Sequence, residues 1–522
     1  MVFSRVIKLM KPTVFLLILT NTFDAIAEEP IAKFSVKVDL GKDVGQSFGT
    51  LFEVRNKKNQ VIAGAGFLDV YNTRFRSDRH TLQFFVRPEH NARNFSVKRL
   101  SHPDLDCGIY LLDLDQKLQA WSSVRNNLVR LWNPETQTWS DAPIPQTGRV
   151  LSGDGIMRLG NGILTFTSGK VAFNDRVILT PPEKGRYYNF YYALGRLFFY
   201  HTDRNEKKGF TKIYACPWTS DSKEPIDLKQ ATIMDAKYVG ATPFAWGQYR
   251  DEVLTVSNYG GVYVFSDSRW KTLAEAQKGV SFQVYSMLNY HDRLLMAQYP
   301  TGELFEYRGQ ELKRLKGWPP KLPGVSSSAR EAQTMAIYRG DLIVGVWPWA
   351  EIWRYNLDDE KWHSMGRLFS HPELTDKTTH PYEAEAKKFG LVANHWGQRV
   401  TGMVPLGNAL MLSTSTKGTY QWFDKYKFLT DAQRREYGSV VELHMSGNLA
   451  TQIKWKNRPI KIEFVVEKNR LIIRQDSKKI AQTEFKVNNP NIFHGTSINW
   501  GQGVFGDLNG KLKSKKSTET AN

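Results

Sequence analysis

Arg339-Gly340-Asp341-Leu342-Ile343-Val344-Gly345-Val346, followed by Glu351-Ile352-Trp353-Arg354-Tyr355-Asn356 and then Lys361-Trp362, is a phrase this chain repeats. It reads as a turn, a short apolar strand, a glycine, a second strand and a tryptophan. Residues 291–296, 302–307 and Leu312 say nearly the same thing, as do residues 250–256, 260–265 and Trp270. Alternating Leu, Val and Tyr with turns between them means short antiparallel hairpins, because a strand has period two. Recurrence at roughly 35–50 residues is the signature of propeller blades, whose sheets bury their faces only against one another.

Working outward, seven blades can be marked, centred on 109–139, 156–177, 190–218, 244–270, 284–315, 335–362 and 403–422. The seventh is short and is open to completion by a strand from elsewhere. The repeat region spans about 105–428 and is interrupted once, at 369–398, where Tyr382 to Phe389 reads as one short helix. An insertion of that length, rich in aromatics and histidines, is expected to be a lid over one face of the ring. Strand patterns also fill 28–104 and 437–509. A closed ring brings its two ends together, so these regions are expected to build one joint β-sandwich; the alternative is two small domains. The fold class expected is all-β: a propeller of roughly seven blades with an accessory sandwich from the N- and C-terminal regions.

Residues 1–27 read as a cleaved signal peptide: Arg5, Lys8 and Lys11, an apolar run from Val14 to Leu19, then Ala25-Ile26-Ala27. The apolar run is shorter than the roughly 20 residues that span a bilayer, so no membrane span is expected and the location is secreted or periplasmic. Cys107 and Cys216 allow at most one disulfide, or else two buried thiols. The 522 residues carry a formal charge of +19, still about +17 without the leader. Lys511, Lys513, Lys515 and Lys516 lie in a tail, 510–522, that reads as disordered. A cationic exported protein meets polyanions at a charge-steered rate. Acidic polysaccharide is the expected partner and nucleic acid is not; a solvated basic surface with no partner is the alternative. A monomer is expected.

Leu131-Trp132-Asn133-Pro134-Glu135-Thr136-Gln137-Thr138-Trp139 and Ile352-Trp353-Arg354-Tyr355-Asn356 with Trp362 resemble the last part of kelch repeats. The double glycine of that family is present only at Gly260-Gly261, and the Asp-box of sialidase (BNR) propellers is absent. Residues 462–485 resemble a strand-turn-strand of laminin-G/concanavalin-like sandwiches. The chain is similar in architecture to exported propeller proteins of environmental bacteria, some of which, such as ulvan lyases, cleave acidic polysaccharides. That resemblance implies carbohydrate chemistry without supplying a catalytic motif.

The chain has no C-x-x-C, H-E-x-x-H, G-x-S-x-G or phosphate-binding loop. Elimination from a uronic acid needs a cation for the carboxylate, a base for the C5 proton and an acid for the leaving oxygen. The residue types for that chemistry are His380, His395 and Arg399 in and after the insertion, with His201 and Tyr188 from the third blade. Trp246, Trp347, Trp349, Tyr382, Trp396 and Arg204 are the expected substrate-binding residues, the indoles stacking on sugar rings. No cofactor is expected, although His380-x-x-Glu383 offers two ligands to a divalent metal. The rival reading is a non-catalytic envelope or interaction propeller binding glycan or protein.

Overall fold

The computed structural model describes residues 30–519, apart from 73–74, 88–94, 123–127, 143–154, 168, 206 and 419–420; the leader expected at 1–27 lies outside them. Seven antiparallel blades run in sequence order. The sixth, built from the opening phrase, is Glu331–Tyr338, Asp341–Trp347, Glu351–Asn356 and Lys361–Arg367. The turn that begins the phrase joins a blade's inner strand to its second. Arg339 and Gly340 have φ of 54° and 76° between the paired Tyr338 and Asp341, a two-residue hairpin that requires left-handed backbone. Leu194-Gly195 does the same in the third blade, between Ala193 and Arg196. The tryptophan that ends the phrase lies opposite an aromatic of the neighbouring strand: Trp132 faces Trp139, Phe265 faces Trp270, and Tyr355 faces Trp362. Phe198 of the third blade reaches Trp270 of the fourth at 6.0 Å, so this position also packs blade on blade.

Ring closure uses both ends of the chain. The seventh blade is Arg399–Leu406, Ala409–Ser415 and Val440–His444, completed by Ser96–Arg99. It adjoins the first blade through a Gly108–Ser415 bridge and a bond from Thr401 Oγ1 to Ile109 O. Strands at 96–99 and 440–444, placed by sequence in the flanking regions, therefore belong to the propeller. A strand that closes a ring has no local signal that tells it from a sandwich strand.

The remaining ends form the joint sandwich. One sheet orders Lys478–Glu484, Arg470–Gln475, Ile460–Val466, Ala32–Asp39 and Lys511–Glu519. The other orders Asn448–Gln452, Thr81–Val86, Val61–Phe67, Gly49–Arg55 and Ser497–Trp500. The tail expected to be disordered is thus corrected over 511–519: it pairs with Ala32–Asp39, whose backbone groups offer it a ladder. Phe34, Phe52, Phe84 and Phe464 fill the space between the sheets. Cys107 and Cys216 lie in separate clusters as free buried thiols, their pKa pushed up to about 12 by burial.

The sandwich seats itself on the inner hairpins of all seven blades. Contacts run from Gln116, Gly160, Gly195, Gln248, His291, Arg339 and Gly407 to sandwich residues or the segments joining them. From this side the chain also enters the ring's axis. Val70–Asn72 pairs with the fifth blade's inner strand and Phe75–Arg76 with the first blade's. The central channel is therefore occupied from the sandwich side by the protein's own chain.

Candidate functional site

The free face of the ring is the one opposite the sandwich. There the inner strands begin and the second strands end, as the pairs Glu331–Trp347, Arg399–Ser415 and Gln283–Tyr299 show. The insertion lies on this face, with its helix at Glu383–Lys388 inside the expected span.

Two neighbouring blades, the sixth and the seventh, converge here on one carboxylate, and the fifth adds aromatic rings beside it. Arg399 Nη2 donates to both oxygens of Glu331, at 3.0 and 3.1 Å, and Lys417 Nζ donates to Oε2 at 2.7 Å. Glu331 and Arg399 are buried, while the Lys417 side chain is 20 % exposed and reaches the surface. Aromatic rings surround that ammonium, with centroids at 4.3 Å for Trp347, 5.1 Å for Tyr299 and 5.8 Å for Tyr285. The Arg399 guanidinium lies 5.6 Å from the Tyr285 ring. Phe244 of the fourth blade continues the aromatic wall, 5.2 Å from Tyr285. Two cations share the Glu331 carboxylate, one of them at the surface.

His380 is the insertion's contribution. Its ring lies 5.0 Å from Trp347 and its Nδ1 3.4 Å from Glu383 Oε2. Burial holds its pKa below the usual histidine value and Lys417 adds to that, while Glu383 opposes both. The net shift favours the neutral imidazole, the form a base needs. Gly397 completes the wall. A Cβ there would stand 2.2 Å from Trp347 Nε1, so only glycine lets the insertion close over the indole.

The other nominated residues do not join this cluster. His201 Nε2 donates to Lys184 O at 2.7 Å, with its ring 4.7 Å from both Tyr187 and Phe210. It pins the loop entering the third blade. Tyr188 donates to Ala241 O and lies under the Arg186 guanidinium. Strict alternation would group Tyr188 with Phe190, but a bulge at Asn189, with φ of 53°, sets Tyr188 and Tyr191 against one cluster and Tyr187 and Phe190 against another. His395 packs 4.8 Å from Trp396, and burial lowers its pKa to about 4. His380, His395, His201 and Tyr188 are therefore not gathered around one cavity.

The four tryptophans expected to stack on sugars are core residues. Trp246, Trp347, Trp349 and Trp396 are each at most 1 % exposed. Trp246 stacks on Tyr191 and donates Nε1–H to Asn189 O; Trp396 is enclosed by Trp422, Tyr426, Phe428 and Tyr437. Trp349 packs under the Arg367 guanidinium. Tyr382 is held by His371: since His371 Nε2 donates to Gln433 O, its Nδ1 accepts the Tyr382 hydroxyl proton at 2.8 Å. Arg204 alone of the six is exposed, with Nη2 3.5 Å from Thr242 Oγ1.

Glu331, Lys417, Tyr285 and Tyr299 went unnominated. Position within the repeat, rather than composition, was the signal available: Glu331 and Arg399 each open the inner strand of their blade. No group of three or more His, Cys, Asp or Glu that could hold a metal ion occurs among the described residues. A separate cavity of about 370 Å³ lies at the sandwich seam, walled by Arg250, Asn289, His291 and Asp507, and contains none of the nominated residues.

No family model matches the chain, and no curated protein matches it. Solved structures similar to it include propellers, all of low overall likeness. The WD40 β-propeller domain of Doa1 is 10 % identical, covering 68 % of this chain and 97 % of its own, with a TM-score of 0.36. YCF48, solved bound to a D1 peptide, is 12 % identical, covering 69 % and 99 %, with a TM-score of 0.38. The computationally designed Ika8 protein is 9 % identical, covering 78 % and 99 %, with a TM-score of 0.36. The propeller architecture itself rests on the strand pairings above.

Proposed function

We propose that this protein is an exported recognition propeller that binds an acidic saccharide at the mouth of the channel on its free face, and does not cleave it by elimination. The observation that carries the reading is the convergence of Arg399 and Lys417 on the single carboxylate of Glu331, within a wall of Tyr285, Tyr299 and Trp347. A partly exposed lysine backed by low-dielectric aromatic walls attracts a carboxylate or sulfate more strongly than a fully solvated one does. Recognition is favoured over lysis because, of the five residues expected to carry elimination, only Arg399 and His380 reach the cluster, while His395, His201 and Tyr188 are held elsewhere. Export follows the expectation for residues 1–27.

Titrating the protein with trigalacturonate and other short acidic oligosaccharides, while following absorbance of the unsaturated elimination product, tests this directly. Saturable binding that weakens with salt, without product, is expected. Accumulating product would replace recognition with a lyase. Absence of binding to every acidic oligosaccharide would remove the site.

A further inference from the structure

The sandwich carries a second cationic surface, unrelated in position to the channel mouth. The inner side of its outer sheet is fixed by the apolar cluster that holds Phe34, Val36, Ile462, Phe464, Ile473 and Leu512. Strand alternation and register then set the remaining positions on the solvent side. Lys33 and Lys37 come from Ala32–Asp39, and Lys461 and Arg474 from the two strands beside it. Lys479 pairs with Arg474 on one flank; Lys511, Lys513 and Lys516 line the other. With Arg470, which pairs with Glu467 at 2.6 Å, these make nine cations against the carboxylates of Asp39, Glu463, Glu467 and Glu484. Even the most enclosed of those acids is shared: Lys33 and Lys461 reach the same Glu463 oxygen at 2.7 and 3.0 Å.

Edge protection accounts for part of this charge, since lysines on Lys511–Glu519 deter pairing with another chain. It does not account for Lys37, Lys461 or Arg474, which stand on interior strands where no edge needs guarding. The face also lacks what two other polyanions require. Its apolar members, Val465 and Ile472, are 3 % exposed, so nothing projects to enter a bilayer. Its outward positions include no aromatic residue on which a base could stack.

From this grid of cations without wedge or stacking platform, we infer that the outer sheet of the sandwich is a docking surface for a long, linear anionic polysaccharide. The inference rests on the acidic-saccharide reading for the sugar chemistry, but uses none of the channel-mouth residues. It makes the protein bivalent toward one polymer, with the sheet holding the chain and the mouth engaging a short segment or an end.

The test compares retention of the full chain on immobilised polygalacturonate over a salt gradient with solution binding of trigalacturonate. One variant carries Lys37→Gln, Lys461→Gln and Lys479→Gln; a second carries Lys511→Gln, Lys513→Gln and Lys516→Gln, so that an edge-strand folding failure leaves the first informative. Each folded variant is expected to bind the polymer about tenfold more weakly at low salt and with a flatter salt dependence, as lost counterion release requires, and to keep wild-type affinity for trigalacturonate. Wild-type polymer binding by the folded variants overturns the inference. So does tighter binding to vesicles containing phosphatidylglycerol, or to duplex DNA, than to polygalacturonate. Failure of trigalacturonate to bind the wild type would instead strike the channel mouth and leave the polymer result standing.

Discussion

The two faces of the ring use the same ion pairs to opposite ends. On the sandwich side Arg87 links Asp341 and Asp358, Arg354 completes Asp341, and Arg79 and His80 share Asp43. Burial would raise the Asp43 pKa, but Arg79 and His80 outweigh it and hold the carboxyl below its usual range. There each charge has a partner, and the seam is a structural joint. On the free face, two cations meet one acid and one of them reaches water. A buried network specifies how domains fit together; one that opens to the surface is what the proposed reading offers to a ligand.

That contrast is broken or sharpened most strongly at Arg87. Arg87→Met removes the cation that Asp358 shares with Asp341, leaving Asp341 to Arg354 alone, and a stability loss of about 3–5 kcal/mol is expected in denaturant titrations. A loss below about 1 kcal/mol would mean that the seam does not depend on its ion pairs. On the other face Glu331→Gln keeps an acceptor for Arg399 and Lys417 while removing the charge. A loss of about 2 kcal/mol is expected, together with tighter trigalacturonate binding by calorimetry. Weaker binding would show that Glu331 positions the cations more than it competes for them.

Smaller still is the pH response of His395. Its pKa of about 4 in the folded chain lies below the unfolded value near 6.5, so the unfolded state takes up the proton first. Stability from this residue is complete above about pH 6.5 and declines as pH falls toward 4, with a slope of at most about 1.4 kcal/mol per pH unit. Melting curves of His395→Phe against wild type should diverge in slope across that window; parallel curves would exclude His395 as the source. Arg204→Ala, on the exposed part of the free face, should change stability by less than about 0.5 kcal/mol.

Much of the ring was legible because its signals are local. Each inner hairpin needs left-handed backbone within two residues, and the outer strands of the first, fourth and sixth blades carry a tryptophan opposite another aromatic. Arg399 was legible too, as the charged residue that opens a strand after the insertion. Trp347 and Trp349 misled because their short turn reads as exposed, and it is covered by residues about 30 to 50 positions later. The basic tail misled in the same way, since 511–519 becomes a strand only against a partner at the other end of the chain.

The sequence by itself determined the blades, the insertion and the excess of positive charge, because turn chemistry, period-two burial and composition act over a few residues. Only the tertiary structure decided which charges meet. Glu331, Arg399 and Lys417 are spread over 86 residues and come together because the sixth and seventh blades lie side by side at one mouth. Arg399 and Lys417 reach Glu331 across the seam between two blades, a contact that no local pattern encodes.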